Sequence, residues 1–361
     1  MVQIVETHSW VIRRLPYEDE ALSSWLIRVA LESGCDPLSL TGLLWPKWRA
    51  WAVDMDKGLD QEYLDILVRK AGTSPDHFNT STFKTLFLQN SEINLEPWIL
   101  ALGTRNRKHK SGWQYCPKCL ESDPVAYFRL NWRYVLHVGC IKHNQRLLDQ
   151  CPHCHKAIQP RLLEAPDQTL SCCAVCKEKL FDVKANVIDH NALALQKDFD
   201  LFLKQGYAIY DDTLIPISEW LSVIQLFNQF IRKVLRSSLN SKGWAFLNAL
   251  DIRVPHPQLS STGLILSQIS VLEREKIFAC ISQLLNVSQI KFIETAHSLN
   301  MNRASFWDKR CKIPEILIPV ERQLDKVSRG YMLKEKVLST PRPTCKKAIL
   351  RKMWRLKRKI L

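Results

Sequence analysis

The chain has 361 residues, 46% hydrophobic and 24% charged, a balance that excludes a disordered, collagen-like or coiled-coil protein. At this length about two to three domains with a sizeable core are expected. The net charge is +15, and from Arg303 onward 18 Lys or Arg face 5 Asp or Glu, so the last 59 residues carry nearly all of it. A charge packed this way predicts a polyanionic partner, nucleic acid first, with a solvated tail as the plainer alternative.

The first 20 residues include Glu6, Arg13, Arg14, Glu18, Asp19 and Glu20 and lack the apolar core of a secretory signal. Long charge-free stretches such as Val254 to Leu272 are broken by Pro, Gln, Ser, Thr and His, so no membrane span is expected. Both features predict a cytoplasmic protein with no membrane partner. In that reducing compartment, twelve cysteines read as thiolate metal ligands rather than disulfides.

Residues 1–112 read as a helical amino-terminal domain. Ala21, Leu22, Trp25, Leu26, Val29 and Ala30 recur at three and four, as do Tyr63, Leu64, Leu67 and Val68, with Asp60 placed to cap the second run. Glu62 to Phe83 has helix-turn-helix spacing, turning at Ala71-Gly72-Thr73-Ser74 and reopening near Pro75. With no basic cluster on its second half, it reads as scaffold or a protein-docking surface. The charged stretch Thr104 to Ser111 is the expected boundary with the next segment.

Residues 113–184 hold the cysteines. Cys116-Pro117-Lys118-Cys119 is followed by Cys140-Ile141-Lys142-His143, and Cys151-Pro152-His153-Cys154 by Cys173-Ala174-Val175-Cys176. Two residues between ligands let both point at one ion, and a second such knuckle completes a tetrahedron. The prediction is two structural zinc ions in zinc-finger, treble-clef or ribbon-like modules, with closed shells that leave no position for catalysis. Whether Cys172 or Cys173 supplies the seventh ligand stays open. Cys35, Cys280, Cys311 and Cys345 have no partner at useful spacing. His153 and His155 flank a knuckle and read as exposed. Tyr127, Phe128 and Trp132 read as a small core, and Arg129 and Arg133 as binders of an acidic partner or of internal carboxylates.

Tyr115 to Leu120, Tyr127 to Arg133, Cys140 to His143, Leu147-Leu148 and Cys151 to Cys154 closely resemble the signature of the TniQ family. The opening Leu15-Pro16-Tyr17-Glu18-Asp19-Glu20-Ala21-Leu22-Ser23-Ser24-Trp25-Leu26 resembles that family's amino-terminal motif, so the resemblance covers residues 10 to 185. It implies a target-selection protein of Tn-seven-like transposons that recruits a TnsC-type AAA+ ATPase and does no chemistry on DNA. TnsD-type members read DNA directly, whereas shorter TniQ members bridge a CRISPR Cascade complex, with its guide RNA, to the regulator.

Residues 185–285 read as a further helical domain, with helical periodicity at Phe199 to Leu203 and Trp220 to Val234. In residues 286–361, Ser288 to Ser298 reads as a helix, Leu299 to Asn302 as a turn, and Arg303 to Lys312 as a second helix stopped by Pro314. Arg303, Ser305, Lys309, Arg310 and Lys312 are its candidate DNA contacts, and a plain helical hairpin is an equal reading. From Pro341 onward nine basic residues meet no acidic one. Among them Lys346, Lys347, Arg351, Lys352, Arg355, Lys357, Arg358 and Lys359 are candidate phosphate contacts, with Ile349, Met353, Trp354 and Ile360 interleaved.

The expected fold is therefore mainly α: a helical amino-terminal domain with a helix-turn-helix-like hairpin, two central zinc modules, and a helical carboxyl-terminal domain with a basic helix-turn-helix-like end. The expected function is a non-enzymatic adaptor between a TnsC-type regulator and target DNA, bridging an RNA-guided Cascade. A TnsD-like sequence reader and a zinc-containing transcription regulator are the alternatives, and homodimerisation is open. No Gly-rich phosphate loop, paired carboxylates or open metal site point to an enzyme.

Overall fold

The computed structural model describes residues 10, 14–89, 93–102, 112–184, 186–254, 265–308, 310–325, 350 and 353. Residues 1–326 form one compact unit and residues 327–361 another, of which Leu350 and Met353 are described as helical and half-exposed. The expected segments 1–112, 113–184 and 185–285 thus lie within one unit. Among the described residues the fold is mainly helical with two short hairpins, and no helix is long and apolar enough to cross a membrane.

Helix α1 (Leu22–Glu32) is buried on every side from Leu22 to Leu31, which is why its apolar residues wrap the whole cylinder instead of forming one stripe. It packs on α2 (Pro37–Leu44), where Pro37 occupies the first turn and needs no hydrogen-bond donor. Helix α3 (Gln61–Ala71) ends where Gly72 turns left-handed at φ 62°. Asp60 sits at its N-cap position, without a capping side-chain bond.

The expected second half of that hairpin is different in the structure. Pro75–Phe78 is a single 3-10 turn, capped by Ser74 Oγ accepting from Asp76 N at 3.3 Å, and a short α4 (Lys84–Gln89) follows. Phe78 and Phe83 are both buried, and Phe83 N donates to Asp56 O at 2.7 Å, so the chain bends to seat both rings. No recognition helix forms there.

The cysteine segment carries α5 (Pro117–Ser122) and the hairpin β1 (Gly139–Cys140) with β2 (Gln145–Arg146). Helix α6 (His190–Gln205) starts on Asp189, whose Oδ1 accepts from Asn191 N and Ala192 N, and stops at Gly206. The Gln196 amide on α6 closes onto β1, its Oε1 accepting from Val138 N and Gly139 N at 3.0 Å and its Nε2 donating to Gly139 O. At Gly139 a Cβ would stand 2.8 Å from Ile188, so this approach needs glycine.

Beyond α6 lies the hairpin β3 (Tyr207–Tyr210) and β4 (Thr213–Pro216), turned by Asp211 and Asp212 at φ 49° and 58°. Helices α7 (Ile217–Leu235), α8 (Lys242–Ala249), α9 (Val271–Leu285) and α10 (Gln289–Ser298) then build an aromatic core. Phe230, Phe246, Phe292 and Phe306 meet there at centroid distances of 4.9 to 5.7 Å.

The basic hairpin after α10 is also corrected. Helix α11 spans Arg303–Phe306, one turn in place of the expected ten residues, and Trp307 is extended at φ −139°, ψ 161°. Phe306 and Trp307 are both buried, and adjacent residues on a helix point about 100° apart, so the helix breaks to bury both. A 3-10 turn and α12 (Ile318–Asp325) follow.

Candidate metal centres and the surfaces around them

Cys116, Cys119, Cys140 and His143 bring their ligand atoms together, as do Cys151, Cys154, Cys173 and Cys176, each set within 4.8 Å. A tetrahedron with zinc–sulfur bonds of ~2.3 Å and a zinc–nitrogen bond of ~2.0 Å has edges of about 3.8 Å between sulfurs and about 3.5 Å from sulfur to nitrogen. In the first set His143 Nδ1 lies 3.5, 3.3 and 3.6 Å from the sulfurs of Cys116, Cys119 and Cys140, and the Cys119 and Cys140 sulfurs are 3.6 Å apart. In the second, Cys151 to Cys176 is 3.6 Å and Cys154 to Cys173 is 3.8 Å. Both sets match the edges of a four-coordinate ion, so both fit a metal with a closed shell.

The backbone explains the match. Cys116 sits at the N-cap position of α5, without a capping side-chain bond, while His155 and Lys177, the residues after the later knuckles, are left-handed at φ 57° and 63°. Their amides donate to Cys151 O and Cys173 O at 3.0 and 2.9 Å, curling each knuckle around its ligands. Cys172 faces elsewhere, its thiol donating to Thr169 O, and Cys173 is the residue in the cluster. His153 is exposed, with Nε2 3.1 Å from Lys179 O.

Hydrogen bonds among the sulfurs make the first cluster share protons unevenly. Those from the Cys116 and Cys119 thiols hold Cys140 below the ordinary thiol range, whereas bonds to Cys116 and Cys140, and then burial, push Cys119 above it. A metal replaces the protons of such a network by ionising every thiol.

The first cluster is built into the amino-terminal helices. Arg133, 1% exposed, donates from Nη2 to Asp54 Oδ2 at 2.6 Å, from Nη1 to Asp56 Oδ2, and from Nε to Leu100 O. Asp56 in turn accepts from Ser23 N and Ser23 Oγ on α1 at 2.8 and 2.7 Å. Arg129 pairs with Asp19 at 3.0 Å and Asp123 at 2.7 Å, and Tyr127 donates to Asp19 at 2.8 Å. Backbone bonds from Ala21 N to Phe128 O and from Leu130 N to Asp19 O finish the joint. Both arginines are thus spent on internal carboxylates. The two stretches that carry the resemblance, more than 100 residues apart in sequence, lie against each other.

Sequence reasoning missed the buried Arg28–Glu20 pair at 2.7 Å and Arg274, which reaches from α9 to Gln114 Oε1 at 2.7 Å and to Val135 O. Burial lowers the Arg274 guanidinium to about 10, and no aromatic or charge spacing marks the residue in advance.

Of the candidate nucleic-acid contacts, Arg303 pairs with Glu321 on α12 and Ser305 Oγ accepts from Asn302 N at 3.2 Å. Arg310 and Lys312 are exposed, past the end of α11. Lys309, Lys346, Lys347, Arg351, Lys352, Arg355, Lys357, Arg358 and Lys359 lie outside the described residues.

Residues 11–147 match the family model of TniQ. No curated protein matches the chain. The matched span ends between the two clusters and takes in both stretches that meet at Asp19 and Arg129, and such a domain suggests target selection in transposition by a non-enzymatic adaptor. Residues 11–147 are therefore a TniQ-family domain, whose first cysteine cluster is one of its structural parts.

Proposed function

We propose that the protein is a non-enzymatic target-selection adaptor that recruits a TnsC-type AAA+ regulator to DNA and links it to an RNA-guided Cascade complex. The observation that supports it most is the joint between the amino-terminal motif around Asp19 and the Tyr127–Arg133 stretch, which makes the matched span one rigid surface for a partner. Each cysteine cluster holds one structural zinc ion, since three or four thiolates with tetrahedral edges suit zinc and leave no open position. Zinc there supplies folding energy, and the protein's own part is to hold the ligands, exclude water and fix the knuckle turns.

The test is co-elution of the purified chain with a TnsC-type regulator, ATP and duplex DNA on size-exclusion chromatography. A ternary peak that depends on this chain is the expected result. A chain that binds DNA while the regulator elutes alone would instead favour a zinc-containing transcription regulator. The strongly basic end favours a second reading, a TnsD-like protein that reads its attachment site directly. Anisotropy with random and candidate attachment-site duplexes separates the two, because a direct reader prefers one duplex by about a thousandfold or more at physiological salt.

A further inference from the structure

Helix α7 carries Asn228 and Arg232, followed at the same four-residue interval by its C-cap residue Arg236, with Gln229 and Lys233 alongside, so these five side chains lie on one side of the helix. Opposite them stand Phe306, Trp307, Asp308 and Cys311, and between the two walls lies an open cleft of about 550 Å³.

The cleft contains polar groups that the described protein leaves without partners. Trp307 is 2% exposed and its Nε1–H meets no acceptor; Asn228 is 8% exposed and its Oδ1 meets no donor. Arg232, partly buried, forms no ion pair with any described carboxylate. Burial, and after it the charge of Arg236, hold its guanidinium below the ordinary range, with Glu273 opposing. Lys233 instead anchors the short α11, and hence the Trp307 wall, because its Nζ donates to Ala304 O and Ser305 O at 2.8 and 3.1 Å. Among the described residues Asp308 is the only carboxylate lining the cleft, and it is exposed.

We propose that this cleft binds a backbone phosphate of a nucleic acid, with the Arg232 and Arg236 guanidiniums and the Trp307 indole N–H as donors. The Arg232 guanidinium beside an unpaired buried N–H forms a donor set that an anion satisfies, Arg236 adds positive charge alongside, and a guanidinium fork matches phosphate oxygens two at a time. The Asn228 acceptor can take a sugar hydroxyl or a water that bridges to the strand. A strand is favoured over an acidic peptide because exposed Arg310 and Lys312 are the sequence neighbours of the lining residue Cys311, so positive charge continues beyond the cleft as a repeating phosphate chain requires. The inference rests on the nucleic-acid side of the proposed function and gives it a place outside the basic tail.

The experiment is fluorescence anisotropy of the full chain with a labelled random duplex and with labelled single-stranded RNA, across a salt series. For R232Q/R236Q the expected result is affinity weaker by about tenfold at physiological salt and a salt slope smaller by about two. Trp307→Phe keeps the ring and removes the donor; it should weaken binding about threefold with the slope unchanged. Arg69→Gln, on the exposed face of α3, serves as the surface-charge control and should match wild type. Duplex and RNA arms then show which strand the cleft prefers, and either preference supports the inference.

Wild-type affinity and slope in both cleft variants, with unchanged circular dichroism, would overturn it. So would a poly-glutamate peptide whose binding vanishes in R232Q/R236Q while that of both nucleic acids persists. Failure of the adaptor reading is distinguishable, because it appears as a lost regulator peak whatever the cleft variants do to nucleic-acid binding.

Discussion

The two cysteine clusters share ligand spacing and edge lengths yet sit in the fold in different ways. In the first, Cys116, Cys119 and Cys140 are buried among Tyr115, Phe128, Trp132 and Leu147, and the surrounding loop is tied to α1 through Arg129 and Arg133. In the second, Cys154 and Cys176 are partly exposed, and the knuckles fold largely on themselves through the bridges Gln150–Ala157 and Cys172–Lys179. Its outward hydrogen bonds carry no buried ion pair: Ala165 N donates to Asp36 Oδ1 at 2.7 Å, and the Tyr115 hydroxyl lies 3.3 Å from both Gln150 O and Leu180 O, while the 3-10 turns Pro160–Leu162 and Ala165–Asp167 pack on α1 and α2. Two similar tetrahedral sets, three cysteines with a histidine in one and four cysteines in the other, thus serve one centre as a keystone of the TniQ domain and the other as a more local clasp.

The sharpest way to break this contrast is Cys119→Ser. Losing the first ion should open the joint with the amino-terminal helices and lower the melting midpoint by about 10 °C or more in differential scanning calorimetry. A shift equal to that of a second-centre variant would erase the distinction. Next comes Arg133→Met, which strands the buried Asp56 carboxylate; urea unfolding should show a loss of about 3 to 5 kcal/mol. Cys176→Ser should halve the zinc content yet move the midpoint by only about 5 °C or less. The smallest effect is assigned to Lys118→Ala: it removes an exposed pair with Glu121 beside the first centre and should cost about 0.5 kcal/mol at most.

The two clusters of candidate ligands were legible because knuckle spacing is a local code, and the choice between Cys172 and Cys173 was not, because one residue of shift reverses which way a side chain faces in an extended strand. The long helices were legible from period alone, as at Trp220 to Val234. The two hairpins failed in their second halves for one reason: Phe78 and Phe83, and Phe306 and Trp307, are buried by tertiary packing that a helix could not satisfy. The β3–β4 hairpin had a signal in Asp211-Asp212, a turn pair that tolerates positive φ, set between alternating apolar residues. The partners of Arg129 and Arg133 were named only as carboxylates in general. Asp19, Asp54 and Asp56 are distant in sequence, and no spacing rule connects them.

Native mass spectrometry of the intact chain during stepwise chelation tests the central claim most directly. Two zinc ions per chain should be present at the start; one should leave while the compact charge states persist, and the second should leave together with unfolding. Fewer than two ions, or a fully stripped chain that stays compact, would contradict the account.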